Sequence, residues 1–209
     1  MVCITIFTPK SILKKLYIGA ETTSTTLLWA VMYMALNPEV QAKCQVEIYE
    51  ILGEKSPSIE DYGKLSYNVA TCLEIQRLSR VAQRSLFHRL LQDTEIHGYK
   101  FKKGQHFATN IEKCLLDPIQ FPEPEKFNPD RFLKGNQIVK NDLLIPFGIG
   151  RRICMGESLA KNELFIFFVR LLQRLNFEVS EIKPDPNDCI DSMTRIPNPF
   201  FVNVTERNT

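Results

Sequence analysis

Apolar residues recur at helical spacing over most of this chain, and only one stretch switches to a period of two. The first run predicts a long helix over Ser11 to Asn37, whose middle, Ile18-Gly19-Ala20-Glu21-Thr22-Thr23, sets a glycine, an acid and two hydroxyls where helix formers are expected. Such residues weaken the backbone ladder locally. Asn37-Pro38-Glu39 then reads as a start signal for a second helix, with Val40, Cys44, Ile48 and Ile51 on its buried face and Gly53 as its stop. After a loop around Ser56-Pro57-Ser58, a third helix is expected over Tyr67 to Ser79. From Ser85 to Asn110 the alternation predicts short strands with glycine turns. Asp117 to Phe132 is rich in proline, but its regularly recurring aromatics mark an ordered loop. Glu157 to Leu175 predicts a last helix, so apolar at Leu164 to Val169 that it should be buried on most sides.

The sum is an α+β fold, mainly helical, in which the first and last helices face each other beside a small sheet. No internal repeat or linker divides it. At 209 residues and 44% hydrophobic content the chain can build one sizeable core or form part of a larger one. Its 26 basic and 24 acidic residues are interspersed and give a net charge of +2, which offers no footprint for nucleic acid. Six scattered cysteines without a C-x-x-C pair argue against a disulfide scaffold or a zinc ribbon and for a reducing compartment. Cys44 and Cys72 are expected as small core residues. Leu27 to Leu36 and Leu164 to Val169 are both shorter than the roughly twenty residues that cross a bilayer. Met1 to Phe7 lacks the basic flank of a signal sequence, so no anchor or address is expected from it. Asn203-Val204-Thr205 fits a glycosylation triplet and is read as chance.

The chemistry concentrates in Pro146-Phe147-Gly148-Ile149-Gly150-Arg151-Arg152-Ile153-Cys154-Met155-Gly156. A cysteine in a glycine-rich loop just ahead of a helix meets first-turn amides and two arginines, a setting that favours a sulfur ligand to a metal. Phe147, Gly150, Arg152, Cys154 and Gly156 stand as F-x-x-G-x-R-x-C-x-G, and this resembles the haem-thiolate signature of the cytochrome P-450 family. The resemblance runs from about Ile18 to Val204 within a family-like span of 11–205, after a poorly matched start over 1–10. The whole reads as one partial domain, the carboxy-terminal part of a microsomal-type member. Lys14-Lys15, which sits badly in a buried helix, suggests a partial gene product as a further reading.

The resemblance implies haem b with Cys154 as the axial ligand and Phe147, Gly150, Arg152 and Gly156 lining it. Glu21 and Thr22 would serve as the catalytic pair over the other face, relaying protons and hydrogen-bonding dioxygen. Ile18, where the family usually has a small residue, would crowd that pocket. His88, from the strand dipeptide His88-Arg89, would join Arg152 at the propionates. Glu74-x-x-Arg77 and Arg131 of Pro129-Asp130-Arg131-Phe132 would form a structural cluster that locks the cysteine segment to the third helix. The pattern departs from the family at Phe121, where tryptophan is common, and over Ile111 to Cys114, which should loosen packing there. The implied function is a monooxygenase acting on an apolar small molecule and O2, with electrons reaching it from NADPH only through an external flavin reductase. That reductase would dock near Lys161, Arg170 and Arg174. The endoplasmic reticulum membrane, cytosolic side, is the implied location. The alternative is a haem-binding module without catalytic activity.

Overall fold

A computed structural model describes residues 10–207, with side chains from Gly19 onward. Expectations drawn from Met1 to Phe7, Lys14, Lys15 and Ile18 fall outside the residues and side chains described. Helix α1 spans Lys10–Leu36 without a break. The hydroxyls expected to weaken it bond backward along it: Thr22 Oγ1 donates to Gly19 O at 3.2 Å, Ser24 Oγ to Glu21 O at 3.0 Å and Thr26 Oγ1 to Thr22 O at 2.8 Å. Such back-bonds compete with the ladder and weaken it slightly, as expected, yet the helix runs on through them.

Helix α2 spans Pro38–Leu52. Asn37 closes α1 rather than capping α2, its Nδ2 donating to Tyr33 O at 2.8 Å. Val40, Cys44 and Ile48 are buried as expected, but Ile51 is exposed and Leu52 takes the last buried position. Helix α3 spans Ser66–Ser79, and its free first-turn amides are met from α2: Glu47 accepts from Tyr67 N at 2.8 Å and from Asn68 N at 2.9 Å. That is a helix cap supplied by a neighbouring helix. A short helix α4, Ile111–Leu115, stands where loosened packing was expected. Ile111 and Leu115 are buried, and Glu112 pairs with Arg80 at 3.0 Å. Helix α5 spans Glu157–Arg174, with Leu164, Phe165, Phe168 and Val169 buried. Phe167 is exposed, so its apolar run is not covered on every side.

The strands form five separate two-stranded antiparallel ladders among the described residues rather than one small sheet. In chain order they are β1 (His88–Arg89), β2 (Thr94–Ile96), β3 (Tyr99–Phe101), β4 (His106–Phe107), β5 (Leu133–Lys134), β6 (Gln137–Ile138), β7 (Leu175–Val179), β8 (Cys189–Asp191), β9 (Arg195–Pro197) and β10 (Val202–Glu206). β1 pairs with β4, β7 with β10, and β8 with β9. The main core gathers Trp29, Met32 and Tyr33 of α1, Cys44 and Ile48 of α2, Val69 and Ile75 of α3, and Phe165 and Phe168 of α5. Thus α1 and α5 do pack together. Thr26, Leu27 and Ala30 meet Leu164 and Phe168 around a cavity of about 10 Å³ closed by Cys72 and Ile75.

Candidate haem-thiolate site

Glu74 and Arg77 lie one turn apart on α3, and both are fully buried. Arg77 Nε donates to Glu74 Oε2 at 2.7 Å and Nη2 to Oε1 at 2.9 Å, a two-pronged pair. Arg131 Nε adds a bond to Glu74 Oε1 at 3.0 Å, and the Asn128 amide adds another at 2.9 Å. The remaining guanidinium protons go to main-chain carbonyls. Arg77 Nη1 reaches Leu115 O at 2.9 Å and Pro124 O at 2.7 Å, while Arg131 Nη1 reaches Pro122 O at 3.1 Å and Nη2 reaches Lys126 O at 3.1 Å. Arg77 also sits 5.1 Å over the ring of Phe121, the residue that replaces the expected tryptophan. Every bond to a main-chain carbonyl ends in the proline-rich loop or α4. The cluster therefore locks that loop to α3, and the cysteine segment follows indirectly, through Leu143 and Leu144, which pack on buried Phe121 and Phe132.

The cysteine loop is held by its own backbone. Gly148 and Gly150 take φ of 78° and 72°, the left-handed region that strains a residue with a side chain. The turn they permit brings Cys154 N to Phe147 O at 3.0 Å, while Glu157 N bonds Cys154 O at 3.3 Å as α5 begins. The sulfur is left exposed, three residues ahead of α5. A methyl at position 156 would stand 3.9 Å from it, so Gly156 keeps that side clear. Lys161 pairs with Glu157 at 2.6 Å and lies 5.6 Å over the Phe147 ring, fixing the aromatic beside the loop.

Among the described residues no three His, Cys, Asp or Glu side chains gather to hold a metal ion. An accessible single cysteine sulfur suits a group that brings its other metal ligands with it, as haem does. The exposed apolar side chains Ile149, Ile153 and Leu159 around the loop suit a flat apolar ring, and the donor set and its surroundings fit that group.

The other expected site residues are not drawn into contact with Cys154. Glu21 and Thr22 are half-buried on α1. Arg152 ends a short turn, Gly150–Arg152, exposed and without an ion pair among the described residues. His88 stacks on Phe107 at 5.3 Å and 29°. Of the three cations expected at a docking face, Lys161 is paired as above, Arg170 Nη1 donates to Gln173 Oε1 at 2.7 Å, and Arg174 is exposed. The pattern reading missed the carbonyls that saturate Arg77, and it missed Arg195, a buried arginine in the terminal hairpin. Only the charge within Thr194-Arg195-Ile196 could have signalled the latter.

Comparison with known proteins agrees with this geometry. The cytochrome P450 family model matches residues 10–204. A rat protein, cytochrome P450 2U1, is 40% identical over 192 residues, covering 90% of this chain and 36% of its own length. Human cytochrome P450 2J2 is 41% identical over 168 residues, covering 80% of this chain and 34% of its own. A solved zebrafish cytochrome P450 with abiraterone superposes at a TM-score of 0.82 with 36% identity, covering 90% of this chain and 45% of that one. The chain thus spans a little over a third of the length of the curated relatives it matches. No described helix is long and apolar enough to cross a membrane. From its motif, its buried Glu-Arg-Arg cluster and these matches, the chain belongs to the cytochrome P450 family.

Proposed function

We propose that this chain is the haem-thiolate portion of a monooxygenase that places one atom of O2 into an apolar small molecule. The observation that carries the reading is the exposed Cys154 sulfur, in a loop whose backbone bonds are already made, at the head of α5. Haem held by a cysteine thiolate would supply the activation of dioxygen. Cys154 would be that thiolate, with Phe147 packed beside it and the first-turn amides of α5 opposing its charge. Arg152, free of a carboxylate partner, and His88 would orient the ring by its propionates.

On α1, Glu21 would take protons from solvent and pass them toward Thr22 Oγ1, held in place by its bond to Gly19 O at 3.2 Å. Reducing equivalents would come from an NADPH-dependent flavin reductase. Arg174, exposed on α5 with Lys161 and Arg170 on the same helix, offers that partner a cationic contact. By analogy with microsomal relatives the working place is the cytosolic side of the endoplasmic reticulum membrane.

The test is turnover of a panel of apolar small molecules, a fatty acid, a steroid and an aromatic xenobiotic, by the haem-loaded chain with a microsomal flavin reductase, counting product and peroxide per NADPH. Thr22→Ala is expected to keep its haem while electrons divert from product to peroxide, and unchanged coupling would remove the proton relay. Haem uptake with no turnover would favour a binding module without activity.

A further inference from the structure

Where α1, α3 and α5 meet, the packing is incomplete, and the cavity of about 10 Å³ left there has room for one small molecule. Most of its wall is hydrocarbon, supplied by Leu27, Ala30, Ile75, Leu164 and Phe168. Two further residues bring heteroatoms. Thr26 Oγ1 already donates to Thr22 O at 2.8 Å, and Cys72 contributes a thiol, a weak hydrogen-bonding group. A water needs about two to four polar partners to settle in such a space, and this wall offers too few. An apolar molecule needs none, and it gains dispersion contacts from every side.

The place of the cavity selects among apolar molecules. Thr26 follows Thr22 by four residues and shares its face of α1, about 6 Å along the axis. The bond between them ties the cavity wall to the turn that carries Thr22. Leu27 and Cys72 are half-buried and mark the side nearest the surface, while Leu164 and Phe168 lie deep in the core. The space is too small for an organic substrate, but it suits a neutral diatomic gas that prefers hydrocarbon to water. We infer that this cavity docks molecular oxygen on its way from solvent to Thr22. Its delivery role rests on the monooxygenase reading, whereas its capacity to hold the gas does not.

The test records methyl NMR spectra of the full chain, with and without haem, under xenon pressure and then under dissolved O2. Xenon should shift the methyls of Leu27, Ile75 and Leu164 saturably, while those of Ile48, buried elsewhere in the core, stay in place. In the haem-free chain the unpaired electrons of O2 should broaden the same methyls at least about threefold more than those of Ile48. Cys72→Leu fills the cavity from α3 and Ala30→Val fills it from α1, and each should abolish both responses. With haem and reductase present, Cys72→Leu should raise the O2 concentration for half-maximal turnover about threefold and leave kcat within about twofold. If the parent responds to neither gas, the site is overturned. Methyl responses lost in the filled variants, with an unchanged dependence of turnover on O2, overturn the delivery role. A parent that answers both gases but turns over nothing contradicts the monooxygenase reading, and the delivery role falls with it while the gas site stands.

Discussion

Around Glu74, every prong of two arginines is already spoken for by a carboxylate or a main-chain carbonyl, and Glu74 and Arg77 have no solvent exposure. Around Cys154 only the backbone is satisfied, the sulfur is exposed, and the neighbouring apolar side chains face outward. The first region spends its polar chemistry on holding the proline-rich loop to α3. The second keeps its reactive atom unspent. On the proposed reading, stability and chemistry fall to different residues, and substitutions can separate them.

The sharpest break is Arg77→Ala, which strands a buried carboxylate beside Arg131. It should lose about 3 to 5 kcal/mol in urea unfolding, enough to threaten the fold. A loss below about 1 kcal/mol would mean the cluster is not the structural lock.

Tyr33 offers a gentler handle on the same side, since it stacks on Phe127 at 4.8 Å beside Asn128 of the lock. Burial pushes its hydroxyl from the ordinary 10.0 to about 12, against the lowering influence of Arg195 and Arg80. A folded value above the unfolded one gives stability that is present below pH 10 and lost as the pH rises through about 12. Tyr33→Phe should therefore be less sensitive to alkali by about 2 kcal/mol across that window, measured as urea midpoints at stepped pH. Parallel pH profiles would contradict this.

On the other side, Gly150→Ala meets no neighbour within 4 Å but must hold φ at 72°. About 1 kcal/mol of destabilisation is expected, seen as a lower thermal midpoint. Smallest of all, Cys154→Ser should change stability of the haem-free chain by no more than about 0.5 kcal/mol, because the sulfur is exposed. A large loss there would erase the distinction between the two regions.

Much of this was legible in the residues. Helical spacing put Glu74 and Arg77 on one face, but Arg131, 57 residues from Glu74, joined them only through the resemblance of Pro129-Asp130-Arg131-Phe132 to a family element. The five-position cysteine motif was likewise read by resemblance to the family's signature. Periodicity located every long helix, but it misassigned Ile51 for Leu52 and overstated the burial of Phe167, since a partner's position decides which edge of an apolar stripe is covered. Hydroxyls in α1 were expected to weaken the helix, and the structure shows how they engage it, through back-bonds within an unbroken helix. Arg195 was opaque: its partners, Trp29, Leu78, Ser79 and Pro186, lie on three other segments, and three of its four partner groups are carbonyls that any residue carries.

The most direct measurement is the absorption spectrum of the haem-loaded chain after reduction and exposure to carbon monoxide, run beside Cys154→His. A Soret band strongly shifted to the red in the parent and absent from the variant is the predicted result. The same band in both, or haem bound by the parent without that shift, would contradict Cys154 as the thiolate ligand.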